Sequence, residues 1–105
     1  MNRVVITGAG TINSLGHSVK ETLASMADGL CGIRPLYFKD VDRLDIKIGG
    51  QVKDFDPITV FNRQQLALYD RVTQFTLIAA KEAIKQSGII FSGDLAAKSG
   101  VVLGT

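Results

Sequence analysis

Two short runs of apolar residues without polar alternation constrain this chain more than any other feature: Val4-Val5-Ile6 near its start and Val101-Val102-Leu103 near its end. A strand with one wet face alternates polar and apolar residues. An unbroken run calls for cover on both faces, which is the habit of parallel sheets flanked by helices. Each run is closed by glycine, Thr7-Gly8-Ala9-Gly10 after the first and Gly104-Thr105 after the second. The pattern therefore reads as α/β, with a strand running into a glycine turn at the front and a second core strand at the back. Ligand sites in open α/β sheets form just past the carboxyl ends of strands, and the chain stops where such a loop would begin. Between the runs there is one long helical pattern and one short one, thin cover for three layers. Residues 1–105 are thus expected to be part of a larger α/β domain, truncated after its second core strand, rather than a compact α+β domain that ends there.

The segments in between divide at recognisable signals. Ser18 and Glu21 stand in capping-box spacing, and Val19, Leu23, Met26, Ala27 and Leu30 follow at helical spacing, with Gly29 as a left-handed stop. Residues 32–44, with Pro35 and several charges, read as loop. Asp45 to Val52 reads as a short strand, bent or bulged at Gly49-Gly50. Asp54-Phe55-Asp56-Pro57 is a turn in which Pro57 opens a short helical turn. The longest element is expected from about Asn62 to Ser87. It has a buried stripe of Leu68, Val72, Phe75, Ala79 and Ala83, a polar stripe of Asp70, Gln74, Lys81 and Lys85, and Gly88 as its end. Ser92-Gly93-Asp94 reads as polar loop.

Composition excludes several classes. A net charge of +2 and the lack of a basic run with interleaved aromatics argue against nucleic acid or an anionic membrane as partner. No apolar stretch is long enough to span a bilayer, and the first residues lack a signal-peptide pattern, which fits a cytoplasmic protein. Cys31 is the single cysteine, so there is no disulfide framework and no multi-cysteine zinc site. As a nucleophile Cys31 has no base nearby in sequence and no nucleophile elbow, and it reads as an incidental thiol. His17 has no second ligand at helical spacing and reads as a surface or turn histidine beside the helix cap. Asp54 and Asp56 read as turn residues rather than an acid/base pair. The front glycines invite a phosphate-cradle reading, but position 13 is Asn13 where a dinucleotide fingerprint has its third glycine, and Gly16-His17-Ser18 lacks the Walker lysine. Backbone geometry and close approach of neighbouring chain explain them better. No cofactor or metal is expected.

The ordered set of motifs resembles one family. Arg3-Val-Val-Ile-Thr-Gly-Ala-Gly10 with Leu15-Gly16, Gly29-Leu-Cys-Gly-Ile33, Ile48-Gly-Gly-Gln-Val-Lys-Asp-Phe-Asp56, Asn62-Arg63, Tyr69-Asp70-Arg71, Phe75, Ala79-Ala80 and Ser99-Gly-Val-Val-Leu-Gly-Thr105 are similar to the opening of β-ketoacyl-acyl carrier protein synthases of the elongating, KAS I/II type. Cys31 stands where that family commonly has serine. The resemblance implies the thiolase fold, an αβαβα layered arrangement of two similar halves, of which this chain would supply part of the N-terminal half. It implies a homodimeric acyltransferase of fatty acid elongation. A cysteine takes an acyl group from an acyl carrier protein, and a carbanion from malonyl-carrier attacks it, with two histidines assisting. In the family those catalytic residues lie downstream of the matching region, so none is assigned here and the chain alone is expected to be inactive.

One departure carries functional content. Bacterial relatives have a lysine- and arginine-rich start to the long helix, which docks an acidic carrier. Here that stretch is Asn62-Arg63-Gln64-Gln65-Leu66-Ala67-Leu68-Tyr69, leaving Arg63, with Arg71 further on, as the candidate carrier-docking residues. Docking through residues outside this stretch, a specialised carrier, or a non-condensing homologue akin to chain-length-factor subunits would each account for it. A non-catalytic interaction module and a small nucleotide-binding reductase domain are the competing functional readings.

Overall fold

The computed structural model describes every residue from Met1 to Thr105. Helix α1 covers Val19–Ala27, strands β1 and β2 cover Ile33–Pro35 and Ile48–Gly50, and helices α2, α3 and α4 cover Arg63–Leu68, Arg71–Ser87 and Gly93–Ala97. Single 3₁₀ turns lie at Val41–Arg43 and Pro57–Thr59.

Helix α1 starts at the predicted signal, with a variation. The Ser18 hydroxyl accepts the Glu21 amide at 3.1 Å, but the Glu21 carboxylate takes the amide of His17 at 2.7 Å, one residue ahead of the cap. Gly29 ends the helix with φ +67°, a conformation that costs glycine little. Its apolar spacing does not become burial: Leu23 and Met26 stay about 60% exposed.

The only ladder is antiparallel and lies away from both apolar runs. Ile33, Arg34 and Pro35 pair with Gly50, Gly49 and Ile48. Strand β2 falls within the expected strand, but the pairing is one-to-one, so the glycines mark no bulge. Strand β1 falls in residues read as loop; Pro35, which lacks an amide, is tolerated because it ends a two-stranded edge. The Gln51 side chain extends the ladder by one step, accepting the Tyr37 amide and donating to the Tyr37 carbonyl, both at 2.9 Å.

The expected strands at Val4–Ile6 and Val101–Leu103 do not form. A strand needs a neighbour to take its amides and carbonyls, and these runs have none here. Val4 and Ile6 are each 91% exposed and Val102 is fully exposed. The architecture is therefore mixed helix and strand with a small antiparallel sheet.

The long helical pattern is broken at Tyr69–Asp70. Asn62 and Gln65 form a reciprocal capping box that starts α2, and Tyr69 leaves the helix with ψ 120°. Asp70 then caps α3, its carboxylate accepting the Thr73 amide at 2.8 Å. Gln74, placed on the polar stripe by helical spacing, is buried; its Nε2 donates to the Tyr69 carbonyl at 3.0 Å and thereby satisfies the carbonyl freed at the break. Leu68, placed on the buried stripe, is 80% exposed, because it belongs to α2 and the break changes its phase relative to α3. Gly88 closes α3 with φ +66°. Gly93 and Asp94, read as loop, instead open the short helix α4 after Ser92.

Packing is organised around α3. Only Phe61 and Gln74 are buried, and neither completely. The radius of gyration is 16.9 Å, against about 13 Å for a compact domain of this size. The accessible surface is 8754 Å², against roughly 5,700 Å² for a compact monomer of this mass. Much of the apolar surface that helical and strand patterning marks for burial is thus uncovered.

Candidate functional site

The most densely bonded region is the passage of the first residues along α3. A Cβ on Gly8 would overlap the Ala83 carbonyl oxygen, and one on Gly10 would overlap that of Ala79. Neither glycine has positive φ. The pair therefore serves close approach rather than a turn: the chain turns only later, at Ser14-Leu15, inside the Asn13–Gly16 bridge. Because Ala79 and Ala83 are four apart on one helix face, alternate glycines of an extended segment meet them in register.

Side chains from the same helix fasten this passage. Gln86 Oε1 accepts the Ala9 amide at 2.6 Å. Glu82 accepts the Thr11 amide at 2.9 Å through Oε2 and the Val19 amide at 2.8 Å through Oε1. Val19 is the first residue of α1, so Glu82 both satisfies an orphan amide and places a negative charge at a helix N-terminus, where the dipole favours it. Ser25 Oγ ties α1 back to the Leu15 carbonyl at 2.7 Å. Sequence reasoning missed Glu82, Gln86 and Gln74. The available signal was that 82 and 86 flank the small Ala79/Ala83 stripe at helical spacing.

This geometry bears on the phosphate-cradle reading. A cradle presents amide donors to an anion. Here the glycines face carbonyl oxygens of α3, which repel one, and the Ala9 and Thr11 amides are already bonded.

An aromatic cluster joins α1, the turn after β2 and α3. Phe55 meets Phe75 edge-on at 5.3 Å between centroids and His17 at 6.1 Å. The Arg71 guanidinium lies over both phenylalanines, at 5.2 and 5.3 Å from their centroids. His17 Nε2 is 2.6 Å from the Lys53 carbonyl oxygen, so the histidine is a part-buried tie between the α1 start and this turn. Asp54 takes φ +54° and Asp56 caps the following 3₁₀ turn through the Ile58 amide at 3.1 Å, the roles expected of turn residues.

The sequence-predicted docking residues are not brought together in one recess. Arg63 opens α2 and is exposed; Arg71 opens α3 and borders an open depression of about 530 Å³ with Tyr37, Lys53, Asp54 and Asp56, in which Arg63 takes no part. Two cations and two carboxylates on that wall leave its formal charge balanced. Cys31 is exposed and its thiol lies 3.6 Å from the Ile33 carbonyl oxygen. It lines a second depression of about 280 Å³ with His17, Glu21, Arg34 and Lys53. The thiol's hydrogen bond goes to the Ile33 carbonyl, and none joins it to His17 or Glu21. No group of three or more metal-ligating side chains gathers anywhere, and no helix is long and apolar enough to cross a membrane. Asp70 is the one ionisable group clearly displaced: hydrogen bonds from the Thr73 side chain and then the Thr73 amide hold its carboxyl below the ordinary carboxylate value.

Comparison with known proteins places these features in a family. The family model for the N-terminal domain of β-ketoacyl synthases matches residues 1–105. Similar curated proteins include the 3-oxoacyl-[acyl-carrier-protein] synthase 2 of Coxiella burnetii and that of Synechocystis, each 31% identical over 103 residues, or 98% of this chain. The synthase 2 of Staphylococcus aureus strain N315 is 30% identical over the same length. The chain spans about a quarter of the length of each of these relatives. With the whole of its length matched in order, the chain belongs to the β-ketoacyl synthase family and corresponds to sequence of that family's N-terminal domain.

Proposed function

We propose that this chain is the opening part of a 3-oxoacyl-[acyl-carrier-protein] synthase, a condensing acyltransferase of fatty acid synthesis. The observation that carries the reading is the match of residues 1–105 to the family's N-terminal domain, together with relatives named for this activity. The glycine-lined passage along α3 supports it, since it gives Thr7-Gly8-Ala9-Gly10 a packing reason and leaves no anion cradle. In this reading residues 1–105 form part of the first half of a thiolase-like layered domain, and the uncovered apolar runs are sheet strands of that domain. The reaction is acyl transfer from a carrier thioester to an enzyme cysteine, followed by attack of the carbanion left when malonyl-carrier loses carbon dioxide. None of the residues present is assigned to that chemistry. The assembled enzyme is a homodimer working on acyl- and malonyl-loaded carrier protein.

Arg63 and Arg71 are the proposed carrier contacts. Each is the first residue of its helix, where a cation gains nothing from the helix dipole. The presence of Arg63 there suits an outward role toward an acidic partner better than a stabilising one, while Arg71 also stacks on Phe55 and Phe75. Arg71 is also oriented by the two rings beneath it, which lowers the entropy lost on contact.

The test is a condensation assay on a polypeptide extended to the length of the relatives, beside the 105-residue chain. Product from the first and none from the second is expected. A folded long protein that binds loaded carrier without forming product would overturn the condensing assignment and leave a non-catalytic subunit.

A further inference from the structure

We draw no further inference here: the strongest candidate, the exposed apolar surface patch that Val4, Val5 and Ile6 present ahead of the glycine passage along α3, carries nothing because nothing in the structure shows what covers it.

Discussion

Gly10 lies so close to α3 that a methyl group there would compete with the Ala79 carbonyl oxygen for the same space. Helix backbone cannot step aside as a flexible side chain can, so Gly10→Ala is expected to destabilise the packed segment by about 1–3 kcal/mol, the range of overpacking. The check, on the polypeptide extended to the length of the relatives, is a lower denaturation midpoint with faster hydrogen exchange at the Thr11 amide. Glu82 offers a complementary experiment. Removing its carboxylate in Glu82→Ala leaves the amides of Thr11 and Val19 without a partner, at a cost of about 1–3 kcal/mol. Glu82→Gln keeps one acceptor oxygen and should lose about half as much. Equal losses in the two variants would show that charge at the α1 start, rather than hydrogen bonding, carries the effect. Gln74 is the less intuitive residue. Its Nε2 supports the helix break, but its buried Oε1 has no partner. Gln74→Met gives up one bond and removes one orphan acceptor, terms of similar size, so a stability change within about 1 kcal/mol is expected from the urea midpoint of the same extended polypeptide.

At the scale of elements, the break between α2 and α3 is the informative feature. Hydrophobic spacing runs through residues 62–87 almost without interruption, and it predicts a single helix. The break is written in short polar side chains: Asn62 and Asp70 are both cap residues, and only the first stands at an obvious boundary. Helix α4 and strand β1 were illegible for another reason. Both are too short for periodicity to register, and β1 exists through its pairing with β2, a contact of residues about 15 apart. By contrast, the stops at Gly29 and Gly88 were readable, because only a residue without a Cβ takes positive φ cheaply. The glycines at 8 and 10 were legible as close-approach residues but not as straight chain, since sequence does not say which helix they meet. Asp70 yields a pH prediction at this scale. Its folded pKa is lowered, so the stability it lends the α3 start is present above the ordinary carboxylate pKa of about 4 and is lost as pH falls through the lower folded value. Asp70→Ala should remove that acid-side dependence and fray the first turn of α3, seen as lost amide protection at Thr73 and Gln74. An unchanged acid profile in Asp70→Ala would transfer the dependence to another carboxylate.

The whole molecule is governed by unmatched surface. An accessible area of 8754 Å² with two buried residues leaves little apolar burial to offset chain entropy. The 105-residue chain by itself is therefore expected to bind a hydrophobic dye strongly and to unfold without a sharp transition. A cooperative calorimetric peak with no dye binding would refute this. Carrier recognition belongs to the same scale. With Arg63 the sole cation in α2, carrier binding by the long protein should weaken only modestly as salt rises, about threefold or less over the physiological range, because few charges contribute to steering. Arg63→Ala should remove about half of that salt dependence, since Arg71 remains. A steep salt dependence that survives the substitution would place the docking surface elsewhere. The family itself was legible from ordered motifs, while the apolar runs at residues 4–6 and 101–103 indicated strands that this stretch of chain does not pair. Finally, the fastening of Ala9, Thr11 and Val19 to Gln86 and Glu82 spans 77, 71 and 63 residues. On a ribosome adding about 5–20 residues per second, the front segment waits roughly 4–15 seconds for its helix. Val4, Val5 and Ile6 remain open to any chaperone throughout that interval, so the first residues made are held in place only after α3 has emerged.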